Sequence, residues 1–213
     1  MDERLRVAIA ELGKGEYVPG SSAKAGWVYN PLPFPGCEGL KVHRPDSVKR
    51  WEMISQHMDF NGKTVLDLGC ATGYFSFQAA KSGAVSVVGV DHDPKAIEVC
   101  RVAAEVFNVK NVEFECKTAG VLIGRQFDVA FAMAVLNWMG KTNAGLWLAW
   151  ARGNIETLWA EVPVRGDGLG GANWLRDEVD VKRWLLRFFG NVEAVGRVET
   201  RNTRKARTLY RCS

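Results

Sequence analysis

Between Thr64 and Gly73 the chain reads T-V-L-D-L-G-C-A-T-G, and a second apolar run, S86-V-V-G-V90, closes at Asp91. These residue types suit a nucleoside ligand. Gly69 and Gly73 lack a Cβ, so a turn built on them can come close to a bound molecule. Asp91 follows the first glycine by about 20 residues, at the tip of the next strand, where a carboxylate can accept hydrogen bonds from both hydroxyls of a ribose. Asp67 adds negative charge just before the turn, which favours a cationic ligand over a pyrophosphate. Positioning these groups takes a buried strand over Val65–Leu68, a glycine turn, a helix from Tyr74 to Lys81 and a second strand over Ser86–Val90.

Two cofactor classes use such a cradle. A dinucleotide fingerprint G-x-G-x-x-G beginning at Gly69 would need glycine where Ala71 and Tyr74 stand. S-adenosylmethionine, with its sulfonium and ammonium groups, matches the acid at Asp67. The runs V65-L-D-L-G-C-A-T-G-Y74 and V87-V-G-V-D91 resemble motif I and the following acidic strand tip of class I S-adenosylmethionine-dependent methyltransferases, over roughly Lys63–Val162. The resemblance implies an α/β, three-layer, Rossmann-like methyltransferase fold. Its seven-stranded, mostly parallel sheet would run 3-2-1-4-5-7-6, with a short N-terminal helical extension. It also implies that Asp67, Gly69, Cys70, Ala71 and Gly73 lie along the cofactor, that Asp91 binds its ribose, and that His92 lies near ribose or adenine. An acid that the family often carries after strand three is replaced here by C116-K-T-A-G120, so Thr118 or the backbone near Ala119 stands in for it. F127-D-V-A-F-A-M-A-V-L-N-W-M139 resembles motif IV, which puts Ala134, Val135 and Leu136 beneath the transferable methyl and Asn137 and Trp138 at the acceptor.

The rest of the chain supplies supporting elements. Leu5, Ala8, Ile9 and Leu12 keep helical spacing, and Gly13 and Gly15 end that helix. G20–G36 combines turn formers with Trp27, Tyr29 and Phe34, the pattern of an ordered extended loop, and Pro45 opens a helix reaching about Met58. Residues 1–60 thus read as an N-terminal extension or lid, and 61–213 as the methyltransferase domain. Trp27, Tyr29, His43, Arg44, Lys49 and Arg50 are candidates for contacts to substrate or to the cofactor carboxylate; a solvated helix face is the other reading of Lys49 and Arg50. A helix over Lys95–Phe107, strands over Val112–Cys116, Phe127–Ala132 and Thr157–Val162, helices around Ala144–Ala151 and Val181–Phe188, and a hairpin of Val192–Val198 with Thr208–Tyr210 complete the fold. The glycine-rich stretch P163–N173 is either a substrate flap or a connector.

Methyl transfer from a sulfonium is an in-line displacement, so the protein's main tasks are to align the acceptor and exclude water. A base is needed only for an acceptor that starts protonated. His43, Asn137 and Glu161 are the candidates for assisting deprotonation or orientation, with a structural salt bridge as the other reading of Glu161. Five scattered cysteines and three histidines show no metal-ligand spacing, so no metal is expected. No apolar run is long enough to span a bilayer and the start lacks a signal-peptide core, which points to a cytoplasmic protein. The net charge is +4. From Lys182 to Arg211 the basic residues Lys182, Arg183, Arg187, Arg197, Arg201, Arg204, Lys205, Arg207 and Arg211 face only Glu193 and Glu199. A small-molecule or sugar acceptor is the first reading. RNA such as tRNA, held by the basic C-terminal hairpin, is the second. A catalytically inert S-adenosylmethionine-binding partner subunit and a nicotinamide oxidoreductase are the rival classes.

Overall fold

The computed structural model describes residues 1–14, 25–118, 124–167, 172–200 and 206–213. Its strands are β1 (Thr64–Leu68), β2 (Ser86–Asp91), β3 (Val112–Cys116), β4 (Phe127–Met133), β5 (Ile155–Glu161), β6 (Val192–Glu199) and β7 (Ala206–Cys212). They form one seven-stranded sheet ordered β3-β2-β1-β4-β5-β7-β6. β1 to β5 pair in parallel, while β7 runs antiparallel to both β5 and β6. The predicted order and direction are those observed.

The apolar runs of β1, β2 and β4 reflect a sheet covered on both faces. Successive residues of a strand point to opposite sides. Val65 packs with Trp51, Phe75 and Phe131, under α2 (Ser47–His57) and α3 (Tyr74–Lys81). Leu66 and Leu68 pack with Leu148, Trp147 and Leu185, under α5 (Gly140–Asn154) and α6 (Glu178–Leu185). This alternation puts Asp67 on the α3 side.

The N-terminal helix α1 (Glu3–Glu11) lays Leu5, Ala8 and Ile9 against α4 (Pro94–Val106) in a cluster that also holds Phe34, Phe77 and Ile97. Phe34 stacks on Phe107 with centroids 4.1 Å apart and meets Phe77 edge-on at 4.8 Å. The aromatic, proline-rich loop is therefore packed against the domain, as its composition predicts. α5 starts at Gly140, before the predicted Ala144, because its first turn, G140-K-T-N143, carries no apolar periodicity to announce it.

Candidate active site

At the carboxyl end of β1 the turn alternates in hand. Gly69 (φ +70°), Ala71 (φ +48°) and Gly73 (φ +78°) all lie in the left-handed region. The chain thereby reverses into α3 within a few residues. The two glycines serve protein packing as well as the turn. A Cβ on Gly69 would lie 2.6 Å from Val135 Cγ2, and one on Gly73 would lie 2.9 Å from Phe77 Cε2 and 3.0 Å from Cys100 Sγ. The expectation that their bareness admits a ligand is thus corrected in its cause: side chains of β4's exit and of α3, α4 and β3 fill the space.

Asp91 fastens the turn to β2. One carboxylate oxygen accepts the Ala71 N–H at 2.8 Å, and the other accepts the Asp93 N–H at 3.0 Å and faces His92 Nδ1 at 3.2 Å. Burial pushes this carboxyl up, but the His92, Asp93 and Ala71 bonds outweigh burial and hold it below the usual carboxylate range. Asp91 is therefore an anion at neutral pH, and a carboxylate offers about four lone-pair sites, which leaves one for a ribose hydroxyl while these partners stay in place.

Asp67 behaves in the opposite way. It is 1% exposed, and its Oδ2 accepts both the Ser76 N–H at 3.0 Å and the Ser76 hydroxyl at 2.6 Å, capping the first turn of α3. Both Ser76 bonds fall on this one oxygen. Burial, only partly offset by Ser76 and reinforced by the charge of Asp91, raises this carboxyl to about 7. The sequence reading treats Asp67 as a full negative charge; in the structure it is poised between acid and anion, and a nearby cation would draw it to the anion.

Cys70 and Cys100 are both buried, and their thiols face the Ala71 carbonyl at 3.9 and 3.3 Å. Burial pushes both thiols up, so neither is a nucleophile, and the Cys70 side chain belongs to the core rather than to a ligand surface. His92 is exposed beside Asp91, and Thr118 is exposed just past β3. Ala119 lies outside the described residues.

The loop before α2 crosses this turn. Asn30 N–H donates to Thr72 Oγ at 3.1 Å, and the Thr72 hydroxyl donates back to the Asn30 carbonyl at 3.2 Å. Ser47 Oγ donates to Asn30 Oδ1 at 2.7 Å, tying the same residue to α2. On this segment Trp27, Tyr29 and His43 form a ring cluster, with centroids 5.0 Å (Trp27–His43) and 6.4 Å (Tyr29–His43) apart. At the exit of β4, Ala134 (φ +57°) donates its N–H to the Glu161 carbonyl at 2.8 Å. Ala134 and Val135 are half-buried, Trp138 is 51% exposed, and Asn137 is 9% exposed. Leu136 is fully buried in the core, which removes it from the expected floor beneath the methyl.

Sequence reasoning missed a buried ionic cluster at the ends of β5 and β7. Glu161 bonds Arg50 Nε, and its other oxygen receives Arg207 Nη1 at 3.2 Å. Asp46 pairs with Arg50 at 2.5 Å and with Arg44 at 3.0 Å, and Asp167 faces Arg207 Nε at 3.6 Å. Glu161 is 1% and Arg50 2% exposed. Glu161 is therefore a structural anion with its charge countered, not a free base, and Arg50 is neither a solvated residue nor available to a ligand carboxylate. Lys49 does lie on the exposed side of the helix. Three basic residues of the hairpin are paired: Arg207 belongs to this cluster, Arg211 pairs with Glu193 at 2.6 Å and Arg197 with Glu178 at 2.9 Å. Arg201, Arg204 and Lys205 lie outside the described residues. No group of His, Cys, Asp or Glu among the described residues could hold a metal ion.

Comparison with known proteins decides the family. Residues 59–148 match the family described as "Methyltransferase domain". That stretch is a methyltransferase domain. Among curated relatives, it is 39% identical over 90 residues to a ubiquinone biosynthesis O-methyltransferase of Neisseria meningitidis, covering 41% of this chain and 38% of that protein. It is 38% identical over 78 residues to a tRNA U34 carboxymethyltransferase of Pseudomonas aeruginosa, covering 37% of this chain and 23% of that one. The chain thus spans well under half the length of these curated relatives. Among solved structures, the bifunctional kinase-methyltransferase WbdD shares the fold, with a TM-score of 0.75 at 23% identity over 88% of this chain and 44% of that one. The shared fold accounts for the sheet order.

Proposed function

We propose that the protein transfers a methyl group from S-adenosylmethionine to a small-molecule or sugar acceptor by in-line displacement. The observation that carries this reading is the pair of acids at the glycine turn. Asp91 is an anion with a lone pair to spare, suited to a ribose hydroxyl, and Asp67 is a buried carboxyl whose two Ser76 bonds fall on one oxygen, suited to a cationic amino-acid end. Both fit the cofactor and neither fits a pyrophosphate. When bound, the cofactor supplies an activated methyl on a sulfonium.

The chain's own residues then orient and enclose. Ala134 and Val135 form the floor beside Gly69. Residues 25–46, latched by Asn30 to Thr72, serve as the lid that excludes water, and Tyr29, Asn137 and Trp138 line the acceptor side. His43, half-buried between Trp27 and Tyr29, is the candidate to take a proton from a hydroxyl acceptor. The likeness to an O-methyltransferase supports a hydroxyl acceptor. The engagement of Arg207 in the interior ion cluster takes one cation from an RNA surface on the hairpin, although the tRNA-modifying relative favours such a surface. Free cysteines at all five positions fit a cytoplasmic setting.

Incubating the protein with methyl-labelled cofactor and fractionated cell extract tests the reading. Label is expected in the small-molecule pool. Label in RNA would replace the acceptor, and cofactor binding without any labelled product would leave an inert binding subunit.

A further inference from the structure

A groove of about 510 Å³ lies between α6 and the β6–β7 hairpin. It is remote from the glycine turn: β4, β5 and β7 separate β1 from β6, four strand spacings or roughly 19 Å across the sheet. Its size falls within the range of small-molecule sites.

The lining is divided by chemistry. Val179 and Leu186, seven residues apart on and just past α6, are 63% and 47% exposed and form one apolar wall. Ala194, the bare backbone of Gly196 and the Tyr210 ring form the floor. The floor is open because the ladder is irregular between Ala194 and Gly196, where the register against β7 shifts. Thr208 also lines the groove and is 6% exposed.

Lys182, Arg183 and Arg197 stand at the rim. The one acid that lines the groove, Glu178, is already paired with Arg197 at 2.9 Å. Arg183 pairs with Asp180 at 3.2 Å, with side chains 70% and 15% exposed. Exposed pairs of this kind exchange readily, and each guanidinium keeps donors for another acceptor. An apolar trough with an excess of cations at its lip selects a molecule with an apolar body and a single negative head.

We propose that this groove is a second ligand site, one that binds a single-chain amphipathic anion bearing a carboxylate or a phosphate, independently of the methyl-transfer cradle. Lys182 meets the head, and Val179 and Leu186 meet the chain.

Amide chemical shifts of the full chain, titrated with decanoate, octyl phosphate and decanol below their micellar concentrations, test this with S-adenosylhomocysteine present to occupy the cradle. Decanoate, octyl phosphate or both should shift Ala194, Gly196 and Arg197 saturably, and whichever binds tighter identifies the head group. Decanol should bind about tenfold more weakly, the loss of one charge-assisted contact. Lys182→Glu should weaken the anions by a similar factor, and Leu186→Asp should weaken all three probes. Leu146→Asp, altering the exposed leucine of α5, should change nothing. Equal binding of decanol, shifts spread outside the groove, or insensitivity to Lys182→Glu in a protein with an unaltered spectrum would overturn the proposal.

Discussion

Thr72 Oγ and the backbone of Asn30 are reciprocal partners, each donating to the other at 3.1–3.2 Å across 42 positions of sequence. The glycine turn and the segment that crosses it therefore share one buried polar contact. Thr72→Val keeps the shape and removes the hydroxyl. We expect a loss of about 1–2 kcal/mol in stability, since the buried Asn30 N–H loses its acceptor. Faster hydrogen exchange at residues 28–30, with the sheet amides unchanged, is the measurement that isolates the latch.

Asp67 gives a pH dependence whose direction is fixed. Its folded value of about 7 stands above that of an unfolded aspartate, so the stabilising protonated form is fully present below about pH 4 and is lost as pH climbs through 7. Asp67→Asn keeps an oxygen for Ser76 and cannot ionise. The variant should be more stable than the parent by on the order of 2 kcal/mol at pH 8, and the difference should shrink at pH 5. It should also bind S-adenosylmethionine more weakly. Thermal melts at both pH values, with and without cofactor, separate these effects.

For Asp91→Ala we expect S-adenosylmethionine affinity to fall by about 1–3 kcal/mol, because hydrogen bonds to a charged partner are lost. Calorimetry should show no NAD binding to either protein. An unchanged affinity would remove Asp91 from the ribose, and equal NAD affinity would overturn the cofactor assignment.

The Arg50–Glu161 pair calls for a double-mutant cycle. Arg50→Met takes one partner from each of two buried carboxylates, leaving Glu161 with Arg207 and Asp46 with Arg44, and should cost about 3 kcal/mol, while Arg50→Met combined with Glu161→Leu should recover part of that loss. Chemical denaturation of the four proteins reads the coupling.

What the residues disclosed in advance was local. The apolar run of β1, the glycines at 69 and 73 and the acid at 91 lie within one supersecondary unit, so spacing alone places them, and the bounds of β3 are those observed. What they did not disclose depends on partners far apart in the chain. Arg50 and Glu161 are 111 positions apart, and on its own Arg50 reads as one more charge on an amphipathic helix. Leu136 reads as floor because motif IV is a string of small and apolar residues, whereas the turn after β4 sends alternate side chains to the core. The near-neutral value of Asp67 comes from burial by neighbours that no pattern within T64–G73 contains.

β7 follows β6 in the chain yet lies between β5 and β6. A chain emerging from the ribosome can complete β1 to β5 and α6, yet β6 has no ladder to join until residues 206–212 arrive, and Glu161 waits for Arg207 over the same interval. Closure of the sheet is thereby deferred until β7 has been made. Losing β7 would leave a molecule with an open sheet edge and with Glu161 short of one of its partners, features that aggregation and proteolysis both exploit.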